Sequence, residues 1–261
     1  MNEILNFSLP LSPVNLLIFA TLCIVARWLA EVYAFHIPET MTYEWELEMS
    51  EGKDSAPNKE EPSLLYTMRN TQWTPQAFRR HISGSSRVSG SKVDGWQLIA
   101  DVIALFAPIF AAFLAKSITP QVVLITILCW ASACAIIIDR NHMLLPDVIT
   151  LPLLWIGLIS STANIFQEPT FAIAGAAAGY TALWIIAKLF MATKGVEAIG
   201  MGDAKWVAMT GAWFGATHMF GALIFASLLG AIIATQQKQN QIAFGPSLAI
   251  ASIAAGLRLL N

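Results

Sequence analysis

Apolar residues in this chain come in long unbroken runs, and the length of those runs sets the prediction. A hydrocarbon layer of about 30 Å needs about 20 apolar residues per helix. By that measure the chain predicts spans near 13–36, 96–115, 119–138, 148–165, 170–190, 204–217, 219–236 and 243–259. The sixth and seventh form one apolar stretch, divided by Gly215, Thr217 and His218. Between the first and second lies a polar segment, 37–94, that contains Pro57, Pro62, Pro75, Gly84 and Gly90 and is acidic from Glu44 to Glu61. It holds too few apolar residues for a core of its own. The expected fold is an all-α polytopic membrane protein of about eight transmembrane helices. Its parts are an N-terminal helix (1–36), a cytoplasmic polar loop (37–94) and a membrane-embedded domain (95–261). The first residues, Met1-Asn2-Glu3-Ile4, lack the basic region and cleavage site of a signal peptide, so the first run reads as a retained helix.

Composition agrees with the runs. Of 261 residues, 56% are hydrophobic and 12% charged, against about 25% charged in soluble domains. The net charge of −2 and the lack of a basic block exclude a nucleic-acid partner and leave membrane lipid as the implied surroundings. Cys23, Cys129 and Cys134 all fall in apolar stretches and read as small buried hydrophobes. The four histidines, His36, His81, His142 and His218, are scattered, so no metal site and no cofactor are expected.

Lysine and arginine give the orientation, since cytoplasmic loops hold their excess. Segment 37–94 has seven of them, Lys53, Lys59, Arg69, Arg79, Arg80, Arg87 and Lys92. Placing it in the cytoplasm puts Arg140, Lys188, Lys194, Lys205 and Lys238 on that side too. The opposite face keeps Lys116 and Arg258, and Arg27 lies inside the first span. Both chain ends then lie on the far side.

Ionisable groups at membrane depth are costly and point to function. Five acids lie in or beside spans: Glu31, Asp101, Asp139, Asp147 and Asp203. Asp139 ends the third span, Asp147 opens the fourth and Asp203 opens the sixth, all on the cytoplasmic side. Asp203 stands in Gly200-Met201-Gly202-Asp203, where the glycines permit unusual backbone angles or a close second chain, and a helix is expected from Ala204. That pattern alone also suits a turn with Asp203 as N-cap. Asp139 begins Asp139-Arg140-Asn141-His142-Met143-Leu144-Leu145-Pro146-Asp147, in which Pro146 ends one helix and suits the start of another. An acid at a helix C-terminus faces the unfavourable end of the dipole, so a purely structural turn explains Asp147 better than Asp139. Two carboxylates about 3 Å apart hold one proton between them. One activates water and the other polarises a peptide carbonyl.

The remaining polar and small residues read more simply. Arg27 and Glu31 form an i, i+4 ion pair in the first span, and Asp101 pairs or lines a polar cavity. Gly175-Ala176-Ala177-Ala178-Gly179 predicts close helix packing, within the chain or between copies. Pro152 kinks the fourth span, and Trp28, Trp45, Trp96 and Trp206 suit interfacial anchoring.

Three stretches together resemble the type IV prepilin peptidases. They are Ile138-Asp139 with Leu144-Leu145-Pro146-Asp147 and Thr150 to Leu158, then Gly200-Met201-Gly202-Asp203-Ala204-Lys205 with Gly211-Ala212-Trp213, then Ile242 to Ala251. The resemblance covers roughly 120–258. It implies a two-aspartate endopeptidase of the cell inner membrane with Asp139 and Asp203 as the catalytic pair. Gly200, Gly202, Pro146 and Asp147 would shape the site. Type IV prepilins or pseudopilins would be the substrates, with a short basic leader cut at the cytoplasmic face after a glycine. The N-terminal half departs from the family. Many members have a tetracysteine zinc module and a Gly-Ser-Phe-x-Asn stretch in the first helix, whereas this chain has no such cysteines and reads Ala26-Arg27-Trp28-Leu29-Ala30-Glu31. Cleavage without methylation of the new N-terminus, and without S-adenosylmethionine, is therefore expected. Two rivals stand beside this reading. A proton-coupled transporter would need a polar path to the far face, while the acids cluster on one side. A catalytically inactive binding homologue fits poorly with an intact Asp139 and Gly-Met-Gly-Asp203.

Overall fold

The computed structural model describes residues 7–50, 95–195, 199–237 and 243–260. Among them are seven helices, α1 (Pro13–Ser50), α2 (Gly95–Leu114), α3 (Pro120–His142), α4 (Asp147–Thr162), α5 (Pro169–Lys194), α6 (Met201–Gln237) and α7 (Gly245–Arg258). Five of them, α1 over Pro13–Met41, α2, α3, α5 and α6, are long and apolar enough to cross a membrane. The chain is an all-α membrane protein.

Local sequence explains the helix limits. Thr119 caps α3 by accepting the Val122 N–H, and Pro120 follows in the first turn, where its missing N–H costs nothing. α5 starts on Pro169 and stops at Gly195, whose left-handed backbone (φ 64°) lets its N–H reach the Met191 carbonyl. α1 runs past the predicted end at 36, through Pro38, to Ser50. Glu, Met and Leu dominate that extension and are strong helix formers, so polarity marks the edge of the bilayer but not the end of the helix. His36 therefore belongs to α1. The rest of the expected loop, 51–94, lies outside the described residues, as do His81 and Lys238.

α6 is broken near its middle. Its backbone leaves helical geometry at Gly215 (φ 76°, ψ 170°), giving a first part, α6a (201–214), and a second, α6b (216–237). Only glycine tolerates that φ readily. The break strips the Gly211 and Ala212 carbonyls of regular partners, and the Gln167 side-chain amide donates to both at 3.3 Å. At the start of α6a, Gly202 lies against Leu145. Late in α6b, Gly230 lies against Phe244, whose neighbour Gly245 touches Asp139. Both parts of α6 thus begin or end at the same end of the bundle, so the chain turns back at Gly215.

α6 packs on α4, α5 and α7, while α3 packs on α1, α2 and α7. The Gly175–Gly179 face meets α6 within the same chain: Gly175 abuts Gly211 and Gly215, and Gly179 abuts Val207. Deeper polar links are few and specific. Trp213 donates to the Leu153 carbonyl at 2.7 Å, and Trp206 donates to Ser252 at 3.1 Å. Trp206 is fully buried, which corrects its expected interfacial place. An indole with a hydroxyl partner is as stable inside the bundle as at its rim. At the far end, Gln121 donates to the Ile165 carbonyl, and Leu9–Pro10 pairs antiparallel with Ser117–Ile118. α4 is the short outer helix, 16 residues long, with Val148, Leu151, Trp155 and Ile159 exposed along one stripe.

Three charged residues of α1 and α2 form a group of their own. Arg27, 6% exposed, donates through Nε and Nη2 to Asp101 and pairs with Glu31 at 3.4 Å. Gln97 donates to Glu31 at 3.4 Å. The expected i, i+4 pair is present, and Asp101 joins it from α2. Cys23, Cys129 and Cys134 are buried free thiols, as expected.

Candidate active site

A cavity of about 500 Å³ opens at the end of the bundle where α3 stops and α4 and α6 start. Asp139, Asp147 and Asp203 all line it, together with Pro146, Gly200 and Gly202. The six residues singled out from the sequence therefore line a single cavity.

Asp139 sits in the last turn of α3. The helix closes there because Met143 takes a left-handed backbone (φ 53°) and returns its N–H to the Asp139 carbonyl at 2.8 Å. A non-glycine residue at that φ is costly and marks a position that the surrounding fold holds in place. The Asp139 side chain is buried, 5% exposed, and accepts the Gly245 N–H at 2.9 Å. That donor is one of the free N–H groups at the start of α7. The unfavourable C-terminal dipole of α3 is thus offset by the favourable N-terminal end of α7. Among the described residues Asp139 makes no ion pair with its neighbour Arg140.

Asp203 lies in the first turn of α6, which starts at Met201, three residues earlier than expected. It is therefore not an N-cap. Its carboxylate lies against the Gly200 backbone and within electrostatic reach of Asp139. Neither Gly200 nor Gly202 has a positive φ. Close approach is the reason for Gly202: a Cβ there would meet the Leu145 Cβ at 2.9 Å and its carbonyl oxygen at 3.1 Å. The missing side chain lets the 143–146 turn lie on the start of α6, bringing the two acidic segments together.

Asp147 opens α4 just after Pro146, the extended residue that precedes the helix. It is exposed at the cavity mouth and accepts from the Lys205 ammonium at 2.6 and 2.7 Å. The pair ties the start of α4 to the start of α6. Each of those starts adjoins one of the other two aspartates.

Three participants escaped the sequence reading. Met41 of α1 lines the cavity, so the helix extension past 36 supplies one wall. Gly245 reaches Asp139 from far along the chain, and only the stretch from Ile242 to Ala251 pointed that way. Lys205 was visible as part of the Gly200–Lys205 stretch but had no assigned partner. Among the described residues no cluster of His, Cys, Asp and Glu is arranged to hold a metal ion.

Residues 125–235 match the model of the type IV leader peptidase family. A prepilin leader peptidase/N-methyltransferase of Xanthomonas campestris pv. campestris is 40% identical over 121 residues, 44% of this chain and 42% of the relative. One from Pseudomonas aeruginosa is 40% identical over 132 residues, 48% and 46%. One from Legionella pneumophila is 34% identical over 166 residues, 61% and 56%. No solved structure matches the chain. The chain spans about half the length of the curated relatives it matches. The stretch that the family model matches, residues 125–235, holds both Asp139 and Asp203, and over it the chain is similar to the type IV leader peptidases.

Proposed function

We propose that this chain is an aspartic endopeptidase that removes the leader peptides of type IV prepilins or pseudopilins, with Asp139 and Asp203 as its catalytic pair. One observation carries the reading: the two acids line a single cavity at one end of the bundle, within electrostatic reach of each other. Two neighbouring carboxylates share a proton and divide the work. The ionised one takes a proton from water as the water oxygen attacks the scissile carbonyl carbon. The protonated one donates to the carbonyl oxygen, and the C–N bond breaks as the leaving amine gains a proton. Asp147, held by Lys205, sets the spacing of the two segments without joining the chemistry.

The same reading has eight crossings, α6a and α6b counting separately, and the cavity at the cytoplasmic face of the inner membrane. The turn-back at Gly215 and the Lys and Arg bias support it. Methylation of the product is not part of the reading, because the first helix lacks the Gly-Ser-Phe-x-Asn stretch.

Co-expression with a candidate prepilin tests the assignment. Wild type shortens the substrate, Asp139→Asn and Asp203→Asn each leave it full length, and mass spectrometry finds an unmethylated new N-terminus. Continued processing by either variant removes that residue from the pair. A methylated product refutes the cleavage-only reading.

A further inference from the structure

α3 and α6 carry the two aspartates, yet each packs far more on α7 than on the other. The relation between the acids therefore depends on a helix that contributes no acid of its own. α7 reaches Asp139 through its first residue, Gly245. The Gly245 N–H donates to Asp139 Oδ2 at 2.9 Å, in a buried setting. A Cβ built on Gly245 would stand 2.7 Å from that same oxygen and 2.9 Å from the carboxyl carbon, closer than real Cβ atoms come. The hydrogen bond and the absent side chain are two aspects of one fit, since no residue with a Cβ brings its N–H to this carboxylate unless something moves. The neighbours restrict that movement. Phe244, just before Gly245, is braced by Gly230 of α6b, where an added Cβ would meet the phenyl ring at 3.3 Å. Ser247, two residues after it, is fully buried. On the other side Asp139 is held by the closed last turn of α3, which ends at left-handed Met143.

We propose that Gly245 is the positioning residue of the site: it fixes the Asp139 carboxylate in the orientation that faces Asp203 across the cavity. Acting through Asp139, it touches no substrate. The proposal deepens the endopeptidase reading and rests on it for its catalytic consequence, but its geometric content stands apart.

A second glycine of the same helix provides the control. A Cβ on Gly256 would meet the Phe214 ring at 2.9 Å, so Gly256→Ala also crowds α7, but far from the aspartates. Purified wild type, Gly245→Ala, Gly256→Ala and Asp139→Asn are compared in two ways. In the first, each is exposed in detergent micelles to dicyclohexylcarbodiimide, which modifies carboxyl groups in apolar surroundings, and labelling of the Asp139 peptide is followed by mass spectrometry. Gly245→Ala is expected to change the Asp139 labelling rate at least threefold, because the carboxyl is displaced, while Gly256→Ala leaves it within twofold of wild type. In the second, cleavage of a prepilin is measured. Gly245→Ala is expected to lower kcat at least 30-fold with KM within threefold, and Gly256→Ala to keep kcat within threefold. Unchanged labelling in Gly245→Ala, or equal losses in the two alanine variants, overturns the proposal. The labelling comparison decides the geometric claim even if wild type cleaves nothing. Cleavage that persists in Asp139→Asn refutes the catalytic assignment instead, and the labelling still reports on Gly245.

Discussion

Replacing Gly175 with alanine tests how tightly α5 grips the broken helix. The added Cβ would stand 2.5 Å from the Gly211 carbonyl oxygen and 2.9 Å from both the Ala216 nitrogen and the Gly215 carbonyl carbon. Ordinary contact begins at 3.4 Å, so α5 and α6 have to part by about 0.9 Å. All three obstacles are backbone atoms and cannot swing aside as a side chain would. Overpacking of this kind costs about 1–3 kcal/mol, and the rigid surroundings favour the upper half of that range. Exchange of glycine for alanine within a helix returns about 1 kcal/mol. The net expectation is a loss of about 1–2 kcal/mol. Two further glycines calibrate it. At Gly179 the Cβ meets Val207 atoms at 3.0 and 3.1 Å, a shortfall of a few tenths of an ångström, so alanine there is about neutral. At Gly221 nothing lies within 4 Å, so alanine should stabilise by about 0.5–1 kcal/mol. The assay is reversible unfolding in mixed micelles on titration with dodecyl sulfate, followed by tryptophan fluorescence. The midpoints should rank Gly221→Ala above wild type, Gly179→Ala beside it and Gly175→Ala below. A Gly175→Ala midpoint at or above wild type would refute the close backbone contact.

Four other substitutions probe the packing. Arg27→Met removes the cation shared by Glu31 and Asp101 and should cost about 3–5 kcal/mol in the same unfolding assay. Asp101→Asn leaves the Arg27–Glu31 pair and should cost clearly less; equal losses would contradict the shared-cation arrangement. Gln167→Leu strips two backbone carbonyls at the Gly215 break of their donor and should lower stability by about 1–3 kcal/mol, since polar contacts in membranes contribute about 0.6–1.7 kcal/mol each. Trp213→Phe loses one hydrogen bond, to Leu153, and should cost about 1 kcal/mol, with its Phe166 and Phe214 ring neighbours still packed; a loss below about 0.3 kcal/mol would mean the bond is not made.

Features that depend on neighbours in the chain were legible in the sequence. Apolar runs of bilayer length gave the helices, and Gly215 with the polar residues after it marked where the longest run divides. Acids at the ends of such runs stand out because the surrounding composition makes them expensive. Their meeting in one cavity follows from the alternation of the spans, since the end of the third and the starts of the fourth and sixth fall at one end of the bundle. What the sequence hid was set by distant contacts or by two options of similar energy. Residues 37–50 are polar and also good helix formers, and only the structure shows that helicity continues. Trp206 looks like an interfacial residue until Ser252 is seen to accept its N–H. Gly245 carries no reactive group, so its place beside Asp139 becomes visible only when a contact spanning 106 positions is formed. Gln167 is another such case, an ordinary amide whose role appears only once the Gly215 break is known.

The brevity of α4 has a consequence for the lipid. Sixteen residues rise about 24 Å, less than the roughly 30 Å of hydrocarbon in an average bilayer. The stripe from Val148 to Ile159 is exposed, and with α4 as one of the eight proposed crossings the acyl chains meeting it would shorten or tilt to cover it, at a fraction of a kcal/mol for each ångström of mismatch. The pinch falls beside the helix that starts at Asp147. On that proposed reading headgroups and water would be drawn inward there, toward the mouth of the cavity, and a prepilin arriving from the bilayer would leave hydrocarbon before reaching the aspartates.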